Sequence, residues 1–161
     1  MSPVKLQQKM RLLRSPAWRL WQGNCRSLRA WYEVVGAVCL VGNALWAETE
    51  VLPDALLVDE AGAAMDELLT WEEDRAEDDG PFSLCLAPGE YHKAEIGGGP
   101  PYSIRLPNNG AGALVEDERH GLNFVAYLRD CFVCGGFPGL AREPCGLPDV
   151  ILELARNLRP F

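Results

Sequence analysis

A chain of 161 residues with 48% hydrophobic and 24% charged side chains can bury a core without disulfides or a metal to staple it. Its net charge of −8 argues against nucleic acid as the main partner. The charge is split along the chain. Residues 1–32 carry seven bases (Lys5, Lys9, Arg11, Arg14, Arg19, Arg26 and Arg29) and no acid, whereas residues 33–161 carry all 23 acids against eight bases, a balance of −15.

Residues 1–25 read as a basic arm, a solvated and disordered lead-in to a domain over 26–161; the alternative is a tail that reaches a nucleic-acid or membrane surface. A weak helical pattern over 6–22 is broken at Ser15-Pro16. From Arg26 to Val35 the pattern is stronger, because Leu28, Trp31, Tyr32 and Val35 recur at helical spacing and Gly36 supplies a stop. Val34 to Ala47 is then uncharged and imitates the core of a secretory signal. The lead-in is too long for such a signal, Gly36, Gly42 and Asn43 interrupt the run, and fourteen residues are too few for a membrane-spanning helix. The expectation is a cytoplasmic chain without a membrane partner; an extracytoplasmic domain behind an anchor is the minor alternative.

Short strands are expected at 37–41 and 55–58, and a helix over 60–73 with Ala64, Leu68 and Trp71 on one face. The run EEDRAEDDG (72–80) is an acidic surface loop that lacks the alternating spacing of a calcium site. Alternation then predicts antiparallel strands at 82–86, 91–96 and 102–106, with a turn at Gly97–Pro101. Asn123 is an N-cap for a helix that buries Phe124, Leu128, Cys131 and Phe132 and stops at Gly135. A last helix over 149–158 has Val150, Ile151, Leu154 and Leu158 as its inner stripe. Helices around a mainly antiparallel sheet make an α+β fold, in one domain.

The six cysteines lie mostly in apolar runs, so packed thiols are the default. Cys131-x-x-Cys134 needs two further ligands for zinc; Cys145, with His92, His120 or Cys85, are the candidates, which leaves a zinc-stabilised or metal-dependent protein as the alternative to a binding domain. Redox chemistry is disfavoured, since the pair closes a helix, where the dipole opposes a thiolate, instead of opening one. No nucleophile elbow occurs, and no Lys-Ser/Thr follows the glycines at 97–99 to make a phosphate loop. His92 and Lys93, on a strand, would point to opposite faces, and His120 reads as a turn residue bonded to backbone. No catalytic set and no cofactor is expected.

The stretch FVAYLRDCFVCGGFPG (124–139) resembles the C-terminal signature of bacterial proteins of the SUKH superfamily, the Smi–Knr cell-wall-regulator-like domain. Trp31, Tyr32 and Gly36 near the front, His92 and Lys93, Tyr102, and then Tyr127, Arg129, Gly135, Gly136, Phe137 and Pro138 follow the same pattern, over about residues 26–140. Gly97 stands where a Ser is usual and Cys134 where a Trp is usual, which makes 134 a packing position. The resemblance implies an antiparallel sheet with helices and a regulatory or immunity-type protein that binds a protein partner, with no catalytic set. The acids Glu72, Glu73, Asp74, Glu77, Asp78 and Asp79 are the expected contact surface for a cationic partner such as a basic toxin.

Overall fold

A computed structural model describes residues 25–41, 52–76, 80–108, 112–141 and 146–158. The basic arm up to residue 24 and the acids Glu77, Asp78 and Asp79 lie outside the described residues, as does Cys145. The elements in chain order are α1 (Arg26–Val34), β1 (Val38–Cys39), β2 (Leu57–Val58), α2 (Ala61–Asp74), β3 (Phe82–Ala87), α3 (Glu90–Lys93), β4 (Tyr102–Leu106), α4 (Phe124–Val133), a 3-10 turn (Pro138–Leu140) and α5 (Asp149–Asn157). The fold is α+β, as the sequence pattern predicts.

Two antiparallel sheets, β1 with β2 and β3 with β4, form its strand layer. In the larger one Leu84 pairs with Ile104 and Phe82 with Leu106, so the alternating apolar residues of both strands share one buried face. Ser83 and Ser103 meet on the other face, 2.9 Å apart. A bulge between Cys85 and Ala87 shifts the register so that Ala87 pairs with Tyr102. Further backbone bonds tie the neighbours on: the Asp59 amide donates to the Leu86 carbonyl, and Ser103 exchanges bonds with Glu116. The segment 113–116 therefore runs beside β4 and leads through Leu122 into α4. The peptide between Leu106 and Pro107 is cis.

The main core lies between this sheet and α1, α2 and α4. Leu28 and Trp31 enter from α1, Ala64, Met65 and Leu68 from α2, and Phe124, Tyr127, Leu128 and Cys131 from α4. Trp31 meets Phe124 edge to face at 6.1 Å. Burying each such aliphatic or aromatic side chain contributes roughly 1.5–3 kcal/mol, which is why i, i+3, i+4 spacing was enough to place these helices. A second, smaller cluster gathers Ala55, Phe137, Leu140 and Ile151.

Three expectations need correction. Residues 91–96 are no strand. Glu90–Lys93 form one helical turn, followed by a reversal in which Glu95 has φ 60. A single turn is too short to show a helical period, and its one buried side chain, Lys93, is polar. In α5 only Ile151 of the expected stripe is buried; Val150 and Leu154 are 41% and 39% exposed. Likewise Phe132 sits half out of the core, and Tyr127 takes the inward place instead.

Candidate functional site

Five of the residues that carry the family resemblance, Lys93, Tyr102, Gly136, Pro138 and Gly139, or their immediate backbone, meet around one segment, Leu52–Leu56. α4 begins at Asn123, whose side chain accepts from the Ala126 amide as an N-cap. It ends where the Gly136 amide donates to the Cys131 carbonyl and the Gly135 amide to that of Phe132, with Gly135 at φ 63 and Gly136 at φ 96. That pair of bonds is the Schellman ending, and it turns the chain back beneath the helix. The Gly136 carbonyl then accepts from the Leu56 amide, and the Gly139 amide donates to the Pro53 carbonyl. A Cβ on Gly139 would run into the carbonyl oxygen of Leu52 and the backbone of Pro53, so only glycine allows this approach. Phe137 and Pro138 are buried beside it.

Asp54, at the centre of this segment, has φ 47 and is buried. Its carboxylate accepts from Lys93 Nζ at 2.7 Å and from the Tyr102 hydroxyl at 3.0 Å. The ammonium also lies 4.4 Å from the centre of the Tyr102 ring. Tyr102 meets Tyr127 edge to face at 6.1 Å, and Tyr127 lies against Cys131. Burial first, then the charge of Asp54, pushes the Tyr102 hydroxyl above its ordinary pKa; burial does the same for Tyr127 and Cys131. The side chains of Lys93 and Asp54 are 2% and 4% exposed. The pair clamps the 52–56 segment to α3 from inside the protein.

Sequence reasoning singled out Lys93 and Tyr102 and missed Asp54, which directly precedes the strand expected at 55–58. The signal available was a lone acid inside the apolar run Leu52–Val58. His92, next to Lys93, faces solvent. Arg119 pairs with Glu90 in the first turn of α3, which fixes that turn from outside. The His120 backbone amide donates to the buried Glu118 carboxylate at 3.0 Å, while its imidazole Nε2 is buried without a hydrogen-bond partner among the described residues. Cys131 and Cys134 are buried, and burial, with Asp130 nearby, pushes the Cys134 thiol up to about 11. Among the described residues no group of three or more His, Cys, Asp or Glu is placed to hold a metal.

The acids have a different setting. Glu72, Glu73 and Asp74 form the last turn of α2, whose first turn carries no acid and whose last turn carries no base. A helix C-terminus is the negative end of the dipole, so Glu72 and Asp74 there cost stability. One face of the same helix (Glu67, Thr70, Trp71 and Asp74) borders a cleft of about 670 Å³ closed by Pro81–Ser83 at the start of β3. Trp71 packs on Phe82 at 5.4 Å, and Arg75 lies 5.1 Å over the Trp71 ring. Burial raises the Glu67 pKa above the ordinary carboxylate value.

No family model matches the chain, and no curated protein and no solved structure shows significant similarity to it. Among the described residues no helix is long and apolar enough to cross a membrane.

Proposed function

We propose that this chain is a non-catalytic, cytoplasmic binding domain of SUKH-like type that holds a cationic protein, in the manner of an immunity protein on a basic toxin. The observation that carries the reading is the acidic last turn of α2. Glu72 and Asp74 stand at the negative end of their own helix dipole, and Asp74, with Glu67 on the same face of the helix, edges a cleft that has Trp71 and Phe82 as its aromatic wall. Residues that break a local stability rule together mark function. Such a cleft suits a lysine or arginine flanked by apolar atoms, and the −15 balance beyond residue 32 would steer a basic protein toward it and disfavour nucleic acid. The burial of Lys93, Asp54 and Tyr102 supports the non-catalytic part, because two polar signature residues, Lys93 and Tyr102, are spent on an internal contact.

The test is capture from a lysate of the source cells with the full chain as bait. A second bait has Glu72, Glu73, Asp74, Glu77, Asp78 and Asp79 neutralised. The expected result is a basic protein released by salt from the first bait and absent from the second. A partner held equally by both baits overturns the acidic face as the contact surface. No partner at any salt, with one zinc per chain in the purified protein, overturns the binding reading altogether.

A further inference from the structure

A second surface has the opposite charge. The outward face of α4 presents Arg129, Phe132 and Val133, and α5 presents Leu152, Ala155 and Arg156; each set follows the i, i+3, i+4 spacing of one helix face. Together with Leu158 they line an open groove of about 560 Å³. Val133 is 68% exposed and Leu152 37%, so the groove is a shallow trough of apolar side chains in water. Apolar surface of this kind marks an interaction site when it is contiguous. No carboxylate is among the described residues that line it.

The arginines give the occupant its chemistry. Among the described bases beyond residue 32, Lys93, Arg105 and Arg119 pair with carboxylates and Arg75 lies on Trp71. Arg129 and Arg156 have neither an ion pair nor a ring contact among the described residues, and both border the same trough. In a region where acids outnumber bases 23 to eight, two uncommitted guanidiniums beside one apolar strip are a complement for carboxylates next to apolar side chains. The trough is too open to enclose a small molecule, and its two helical walls suit an extended or helical segment laid along them.

We infer that the α4–α5 groove docks an acidic, apolar segment of a protein partner, with Leu-, Ile- or Phe-type side chains on Val133 and Leu152 and Asp or Glu side chains on Arg129 and Arg156. This inference does not depend on the acidic turn of α2, and the two surfaces share no residue.

The test pans a random twelve-residue peptide library on the full chain. The enriched peptides are then measured by fluorescence polarisation against the wild type, R129E/R156E, V133D and a six-acid variant neutralised at residues 72–74 and 77–79. The expected result is a set of acidic, apolar peptides that bind at least about tenfold more weakly to R129E/R156E and to V133D, and unchanged to the six-acid variant. Circular dichroism of R129E/R156E must match the wild type, which these exposed positions predict. Enriched peptides that are basic, peptides bound equally by all variants, or no enrichment would each overturn the inference. Vesicles of phosphatidylglycerol supply the contrasting arm: co-sedimentation with them, lost in R129E/R156E and without peptide binding, assigns the groove to an anionic lipid surface instead. A variant ending at Leu158 that alone binds the peptides assigns it to the chain's own last residues.

Discussion

Replacing Lys93 by methionine keeps the reach of the side chain and removes its charge, which leaves the Asp54 carboxylate buried with only the Tyr102 hydroxyl. Breaking a buried pair from one side costs about 3–5 kcal/mol, more than the whole pair is worth against an apolar replacement. Chemical denaturation of K93M is therefore expected to show a loss of that size, whereas Y102F, which removes one hydrogen bond to the carboxylate, loses about 1.5–3 kcal/mol. The double variant D54N/K93M should recover part of the loss, since asparagine tolerates the left-handed backbone at 54 and carries no charge to strand. Equal losses in K93M and in the double variant would show that Lys93 acts through packing alone. Cys134 offers a test by pH. Its folded pKa of about 11 lies above the ordinary 9.0, so the folded state holds the proton more tightly. The stability this contributes is fully present below 9.0 and is lost as pH rises through about 11. Melting temperatures of C134A across that range should fall less steeply than those of the wild type. In thiol labelling, exposed Cys39 should react at once, and Cys131 and Cys134 only as the chain unfolds. Rapid labelling of Cys131 or Cys134 would contradict their burial.

The proposed function sets stability against binding at the C-terminus of α2. D74N removes a negative charge from the negative end of the helix dipole, so it should raise stability by about 0.3–1 kcal/mol in thermal melts while weakening partner binding. A loss of stability would mean that Asp74 serves the helix and not a partner. The helices around it were readable because each buries a face repeated at 3.6 residues, and β3 and β4 because Phe82–Leu86 and Tyr102–Leu106 alternate. The N-cap and the double-glycine ending of α4 were readable for the same local reason. Asp54 was not, because its partner Lys93 lies 39 residues away and neither residue's neighbours announce the pairing. The turn Glu90–Lys93 was missed for want of length. The outward placing of Phe132, which makes the α4–α5 groove, depends on how α5 docks through Ile151 onto Gly135, and no sequence period encodes that docking.

The charge layout gives the protein two faces of different character on one clamped scaffold. Lys93, Asp54 and the Gly135–Gly139 turn hold α3, α4 and the 52–56 segment in register, which fixes one wall of the α4–α5 groove. An acidic face binding a basic partner acts at a distance as well as in contact, because opposite charges raise the rate of encounter and salt screens them. The measurement that bears most directly on the proposed binding function is the affinity of the captured partner for the wild-type chain and for the six-acid variant over a series of salt concentrations. The wild type should bind progressively more weakly as salt rises, and the variant should bind weakly throughout, with a flatter dependence. The same affinity for both proteins, unmoved by salt, would contradict an acidic docking face.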